Sequence, residues 1–428
     1  MRKAGNCKWA RRTCPSLFCS KVYRATICMK ASGINRKPVL QTRLVTLYRG
    51  HVLEVLKGLP DESIHCILSS PPFFGGLRNY DLPPVRWSDG WIGSLGFEAT
   101  PELYIEHLIE VFHEAWRVLR SDGTAWLNLG DKHRNGNLLG IPGLMSSALR
   151  ADGWHLRQEI IWAKGISCQK EILNQIASAA VEVGIGEQKV RSLLDRLALP
   201  CGNNKPESVK NRPTTSHEKI LLLSKSSNYY YNADAIREPH VTEPKSNLIR
   251  VRGFTTKGNP AQPHSPEHHG RNIVYSPGGR NSRSVWLIFP QRFKGAHFAV
   301  MPELVAERCI IAGTSDKGCC AKCGAPYPHA NEIACIPTCR CNAGVQPCAV
   351  LDFFAGAGTT LAVAQRLGRR AIGIELNKNY CELIKERCNC YARAARQIPN
   401  SDPGYDMSLA RLAKDRQILV KAVQEAGT

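Results

Sequence analysis

The stretch from Ala349 to Asn377 limits the possible folds of this chain more than any other. An apolar run, Ala349-Val350-Leu351, ends in the loop Asp352-Phe353-Phe354-Ala355-Gly356-Ala357-Gly358-Thr359-Thr360. The pattern then predicts a helix over Thr360–Leu367 and a second strand over Arg370–Glu375. Two strands joined through a helix favour a parallel pairing, because parallel neighbours need a crossover of a dozen or more residues, usually a helix. The unit therefore calls for an α/β architecture with a mostly parallel sheet.

The N-terminal half repeats the rhythm. Residues 44–48 and 64–68 read as strands around a short helix over Val52–Leu56, with Asp61-Glu62-Ser63 as the turn. A helix is expected over Thr100–Leu119, with Thr100 as N-cap, Pro101 at the first helical position and Ser121-Asp122-Gly123 ending it. Strands follow over Thr124–Leu129 and Leu156–Trp162, with a helix over Leu138–Leu149 between them. Two features break the alternation. Residues 165–204 read as a pair of helices, 170–183 and 187–199. Residues 225–284 are loop-rich, with nine Lys/Arg against four Asp/Glu and the triplet Tyr229-Tyr230-Tyr231. The tail after Pro399 reads as helical and peripheral.

The chain has 428 residues and a formal net charge of +21, which suits a polyanionic partner. Twelve of the Lys/Arg precede residue 54, where there is no Asp or Glu, so the charge says less about the catalytic body than its size suggests. That basic arm is open to three readings: a disordered start, a nucleic-acid-binding arm or an organellar presequence. No apolar run of membrane-spanning length occurs. Eighteen scattered cysteines without an export signal read as reduced thiols, and the expected location is cytoplasmic.

The loop after Leu351 belongs to a broad class that serves nucleotides, flavins and S-adenosylmethionine alike. Gly356 and Gly358 allow a tight turn and close approach to a ligand. Glu375 ends the next strand, where its carboxylate suits a pair of ribose hydroxyls. Leu361 occupies the place of the third glycine of a dinucleotide fingerprint, and no phosphate-binding Lys is present. A nucleoside without phosphates, S-adenosylmethionine, is the better match. The second motif, Ser70-Pro71-Pro72-Phe73, ends the strand over 64–68. Read alone it is as well explained by a proline turn. As a site, Ser70 and the Pro71 carbonyl would accept from the amino hydrogens of a flipped-out base, Phe73 would stack on the ring and the prolines would stiffen the loop. A third pattern, Cys320-Ala321-Lys322-Cys323 followed by Cys339-Arg340-Cys341, has the spacing of a structural zinc site, with Cys320, Cys323, Cys339 and Cys341 as ligands. Cys319, Cys335 and Cys348 compete as ligands, and metal-free thiols are the alternative.

The run Leu68-Ser69-Ser70-Pro71-Pro72-Phe73-Phe74-Gly75-Gly76-Leu77-Arg78-Asn79-Tyr80 resembles the β-class DNA amino-methyltransferases when taken with Trp126-Leu127-Asn128-Leu129-Gly130-Asp131, Pro206-Glu207-Ser208-Val209-Lys210 and the Asp352–Thr360 loop. As in that family, the catalytic motif precedes the cofactor motif and a target-recognition region lies between them. The resemblance covers about residues 44–392. It implies a circularly permuted, Rossmann-like, S-adenosylmethionine-dependent methyltransferase fold with an inserted target-recognition region. The implied organisation is a basic arm at 1–43, a catalytic half at 44–164, the insertion and target-recognition region at 165–284, a cofactor half at 285–398 with a Cys-rich insertion at 318–348, and a tail at 399–428.

By the same resemblance, Ser70, Pro71, Pro72 and Phe73 form the base pocket. Asp352, Phe354, Gly356, Gly358, Thr359 and Glu375 surround the cofactor. The segment Gly295-Ala296-His297-Phe298-Ala299, with His297 and Phe298, packs at its methionine end. The implied partners are double-stranded DNA and a cognate restriction endonuclease. A motif beginning with Ser is commoner among cytosine-N4 than adenine-N6 enzymes, so cytosine N4 is favoured and adenine N6 is the alternative. A non-catalytic DNA-binding or zinc-ribbon protein is the reading from another class. His51 stands where relatives tend to have Asp, Phe353 where proline is usual and Phe74 where tryptophan is common. A carbon-5 mechanism is disfavoured, because neither Pro200-Cys201 nor Pro347-Cys348 sits where that nucleophile would be needed.

Overall fold

The computed structural model describes residues 37–76, 82–165, 209–239, 279–290, 300–327 and 338–397, with short pieces at 248–250 and 272–274 and isolated helical positions within 175–182. Nine strands form one sheet: β1 (Leu40–Gln41), β2 (Val45–Arg49), β3 (Ile64–Ser69), β4 (Leu119–Leu129), β5 (His155–Ala163), β6 (His217–Ser224), β7 (Val285–Leu287), β8 (Ala349–Asp352) and β9 (Arg370–Glu375). Their order is β1-β2-β9-β8-β3-β4-β6-β5-β7. Only β1 and β6 run against the others, so the sheet is mostly parallel as expected. The order also places β8 beside β3, with Val350 opposite Cys66 and Leu351 opposite Ile67. Two segments far apart in the chain thus become neighbours at the centre of the sheet.

Helices cover both faces, which is why β3 is buried along its whole length. On one face lie α1 (Val52–Lys57), α2 (Pro101–Val118) and α3 (Ile141–Ala151), packing Leu56, Tyr104, Leu108, Phe112 and Met145 against Ile67, Leu127 and Leu351. On the other lie α4 (Glu303–Gly313), α5 (Thr359–Arg366) and α6 (Lys378–Gln397), packing Val305, Ile310, Leu361 and Ile384 against Cys66, Leu68, Trp126 and Val350. Cys66, Cys309, Cys381 and Cys388 are buried in this second core as small apolar groups, and none of the ten cysteines whose side chains are described forms a disulfide.

The expected caps and boundaries hold in part. Thr100 accepts a hydrogen bond from the Leu103 backbone N–H at 3.3 Å and starts α2. Ser121-Asp122-Gly123 is not a turn; it lies within β4, which starts at Leu119 opposite Ile64 and crosses a register shift before Thr124 meets Cys66. Arg120 and Asp122 pair within this irregular stretch at 2.7 Å. Helix α3 starts at Ile141 rather than Leu138, because Asn137–Leu138 pairs with His133–Arg134 and Gly140, at φ 72°, turns the chain into the helix.

The interval 165–284 contributes β6 to the interior of the sheet, with Ile220, Leu221, Leu222 and Leu223 all buried. Tyr229–Tyr231 follow β6 at the end where Ser224 meets Thr124. Tyr231 stacks on Trp126, and Arg157 lies over Tyr229. The triplet is therefore packed on the body of the fold, away from the carboxyl ends of the parallel strands. The basic arm at 1–36, the tail from 398 and nearly all of the two helices expected at 170–199 lie outside the described residues. No described helix is long and apolar enough to cross a membrane.

Candidate active site

Ligands of open α/β sheets bind outside the carboxyl ends of the strands, and there β3 and β8 deliver the two motifs into one cleft. The joint between them is Ser69, the last residue of β3. Its buried hydroxyl donates to Asp352 Oδ1 at 2.7 Å and accepts from the Phe354 backbone N–H at 3.2 Å. The Phe354 N–H also donates to Asp352 at 3.1 Å. A hydrogen bond to a charged group contributes about 1.5–3 kcal/mol, so Ser69 fixes the cofactor loop to the strand that leads into the base motif. Nothing in the local sequence separates Ser69 from its neighbour Ser70.

Beyond Ser69 the chain turns away from the sheet. Pro71 is buried, whereas Ser70, Pro72 and Phe73 are partly exposed in the cleft. Tyr104, fully buried on α2, donates its hydroxyl to the Pro72 carbonyl at 2.9 Å. The Phe73 ring lies so close over Gly130 that a Cβ there would come within 2.7 Å of it. Gly96, at φ 93°, meets the Phe73 carbonyl equally closely, and its own carbonyl accepts from the Gly75 and Gly76 N–H groups. The motif is thus held from three sides, with Ser70 and Phe73 among the residues that line the cleft.

A polar group that the sequence did not suggest completes this end. Asn128, near the end of β4, donates through Nδ2 to Ser70 Oγ at 3.3 Å and to Glu218 Oε2 at 2.8 Å. Lys164 pairs with the other Glu218 oxygen. All four line the cleft with Trp162. Asn128 was visible only as part of a family motif, and Glu218 and Lys164 carried no local signal. They meet because β6 pairs with both β4 and β5.

At the opposite end the Asp352–Thr360 loop wraps the cleft. Asp352, Phe354, Gly356, Thr359 and Glu375 line it, together with Gly50, His51, Leu376 and Tyr380. Gly358 is not among the lining residues; at φ 73° it caps α5 and packs so tightly on Ile384 that no side chain fits. Phe353 does line the cleft, but its ring is buried in the core, edge-on to Phe112. His51 meets Trp87 edge-on at 5.1 Å in the wall. His297 and Phe298 lie outside the described residues, but Val300 and Met301 just after them line the cleft, and α4 starts after Pro302.

Two carboxyl groups are buried here. Burial pushes Asp352 up to about 6, against the opposing hydrogen bonds from Ser69 and the Phe354 N–H. Burial pushes Glu375 up to about 7, although the Asn377 and Gly356 N–H groups donate to it at 2.7 and 2.8 Å. Among the described lining residues the only Lys or Arg is Lys164, which is committed to Glu218 at the other end. Glycines, carboxylates and aromatic walls without a cation suit a nucleoside that carries no phosphate, and they disfavour a nucleotide.

The four cysteines of the third pattern also come together. The Sγ atoms of Cys320, Cys323, Cys339 and Cys341 all lie within 4.8 Å of one another. A second group, all buried, brings His65 of β3 together with Cys319 and Cys348. Both clusters are at the amino ends of the strands, at the other end of β3 and β8 from the cleft.

A family model described as DNA methylase matches residues 64–386. The chain is 30% identical over 367 residues to the type II methyltransferase M.SmaI of Serratia marcescens, covering 79% of this chain and 88% of that protein. It is 28% identical over 388 residues to the type II methyltransferase M.Cfr9I of Citrobacter freundii, covering 84% and 92%. Among solved structures, the PvuII DNA methyltransferase (cytosine-N4-specific) aligns with 89% of this chain and 94% of its own, at a TM-score of 0.48 and 14% identity.

Proposed function

The chain belongs to the DNA methylase family of the amino-group (N4/N6) type, and from that premise we propose that it transfers the methyl group of S-adenosylmethionine to the exocyclic N4 of cytosine at a specific site in double-stranded DNA. The observation that carries this reading is the Ser69–Asp352 hydrogen bond, because it joins a base-sized pocket and a phosphate-free nucleoside loop in one cleft.

The cofactor end offers Glu375 to the ribose hydroxyls, Asp352, Phe354 and Gly356 along the loop, and His51, Leu376 and Tyr380 as walls. When bound, S-adenosylmethionine supplies an electrophilic methyl group on a sulfonium. The chain's own task is to orient and activate the amine. An aromatic amine is a poor nucleophile because its lone pair is delocalised into the ring. Acceptors at Ser70 Oγ and the Pro71 carbonyl would accept hydrogen bonds from the two amino hydrogens, favour a tetrahedral nitrogen and aim its lone pair out of the ring plane, and one of those protons leaves the nitrogen once it carries the methyl group. Asn128 donates to Ser70 Oγ and so fixes where that acceptor points. Phe73 stacks on the extruded ring, and Tyr104 holds the loop still through the Pro72 carbonyl. No cysteine lines the cleft among the described residues, which agrees with direct transfer to nitrogen.

Cytosine N4 is preferred over adenine N6 because the motif begins with Ser70. A type II restriction-modification setting, with a nuclease that reads the same site, is the partner class we assign from the relatives. The test is transfer of labelled methyl from S-adenosylmethionine to duplex DNA. Incorporation by the wild type that is lost in the Ser70→Ala, Phe73→Ala double variant supports the site; full activity in that variant refutes it.

A further inference from the structure

The loop between α4 and β8 has almost no core of its own, yet it is tightly turned around four sulfurs. Within it Cys319–Cys320 pairs with Val345–Gln346, the Gly324 N–H donates to the Cys320 carbonyl at 2.9 Å, and the Cys320 N–H donates to the Ala325 carbonyl at 2.9 Å. The residue after each cysteine pair has a left-handed backbone, Gly324 at φ 70° and Asn342 at φ 49°. Each pair therefore forms a tight turn that brings both of its sulfurs to the same side. The Lys322 and Cys323 N–H groups point at Cys320 Sγ, and the Cys341 N–H points at Cys339 Sγ. Four sulfurs mutually within 4.8 Å suit a tetrahedral thiolate site, whose sulfur–sulfur edges are about 3.8 Å at a zinc–sulfur distance of about 2.3 Å.

We propose that Cys320, Cys323, Cys339 and Cys341 bind one structural zinc ion, and that the closed knuckle clamps the amino ends of the three strands whose carboxyl ends form the active site. The clamp consists of backbone carbonyls of the first turn. His65, on β3, donates from Nε2 to the Gly324 carbonyl at 2.8 Å, while its Nδ1 accepts from the Ala349 N–H at the start of β8 at 3.1 Å. Arg120, on β4, donates to the Cys323 carbonyl at 2.7 Å and is itself held by Asp122. One metal-closed turn thus grips β3, β4 and β8 together, and these strands go on to carry Ser70, Asn128 and Asp352. The neighbouring His65–Cys319–Cys348 group is not a second metal site, because both nitrogens of His65 are committed to backbone groups and Cys319 Sγ donates to the Gln346 carbonyl at 3.4 Å. The inference does not depend on which base is methylated.

The test is the metal content of the full-length protein purified under reducing conditions. One zinc per chain is expected, with cobalt(II) replacing it to give the intense visible bands of a tetrathiolate centre. Cys323→Ser and Cys341→Ser each lose the metal. His65→Ala keeps it, but hydrogen exchange speeds up at the amino ends of β3 and β8. Because a cysteine variant can fail to fold, chelation of the wild-type protein is the companion measurement: zinc removal speeds exchange in the same strand ends. Absence of stoichiometric zinc with four titratable thiols overturns the proposal, as does a Cys320–Cys323 disulfide found by mass spectrometry. Bound zinc whose removal leaves exchange unchanged overturns the clamp.

Discussion

The two ends of the central strands use polar groups in opposite ways. At the carboxyl ends of β3, β4 and β8, Ser70, Asn128 and Asp352 line a cleft beside Glu375 of β9, with burial pushing both carboxyl groups up. At the amino ends, His65 and Arg120 spend their side chains on backbone carbonyls of a cysteine-rich turn. The first arrangement leaves two buried carboxyl groups facing a cleft, and the second commits its side chains to hydrogen bonds within the protein. Chemistry and anchorage therefore sit on the same three strands yet answer to different perturbations.

The comparison breaks most sharply if damage at the cleft end also unfolds the protein. The Ser70→Ala, Phe73→Ala variant is expected to lose about 100-fold or more in methyl transfer, from lost base stacking and amine alignment. Its thermal unfolding should match the wild type. Zinc removal at the other end gives the converse result: the melting temperature drops by several degrees, while kcat at low temperature stays within about two-fold of the wild type if the strands remain paired. Differential scanning calorimetry beside a methylation assay separates the two.

Smaller changes sharpen the contrast. Asn128→Ala removes the donor to Ser70 and should lower kcat/KM about ten-fold with little change in cofactor affinity, as read by steady-state kinetics and calorimetry. Glu375 gives a pH signature. Its folded pKa, about 7 against an ordinary 4.5, means that the ligand-free protein loses stability as pH rises from about 4.5 through 7, because the buried group must ionise. A ribose diol donates hydrogen bonds and so favours the carboxylate. Affinity for S-adenosylmethionine should therefore rise as pH passes through about 7, and Glu375→Gln should flatten that rise. Tyr104→Phe has the smallest effect, about 1 kcal/mol in stability measured by denaturant unfolding, from the lost bond to the Pro72 carbonyl.

These contrasts also follow what the sequence made legible. β8, β9, α2 and α5 carried clear apolar patterns, a capping threonine or a glycine loop, and the structure reproduces them within a residue or two. β6 was missed because Ile220–Leu223 is a short continuous apolar run set among polar segments, without alternation to mark it. The Ser70–Phe73 and Asp352–Thr360 motifs were readable because each is local. The bond that joins them was not, since Ser69 and Asp352 are 283 residues apart and meet only through the pairing of β3 with β8. Glu218 and Lys164 escaped for the same reason, as ordinary charged residues until antiparallel pairing set them beside Asn128. The cysteine clusters lay between these cases: spacing marked Cys320, Cys323, Cys339 and Cys341 as a group, but only the fold separated them from Cys319 and Cys348.

The central claim is that the cleft holding Ser70 and Phe73 methylates an exocyclic amine of cytosine. Chromatography of nucleosides from duplex DNA treated with the protein and S-adenosylmethionine tests it most directly. The account predicts N4-methylcytosine, absent when Ser70 and Phe73 are both replaced by alanine. N6-methyladenine alone would contradict the base assignment, and 5-methylcytosine would contradict the chemistry.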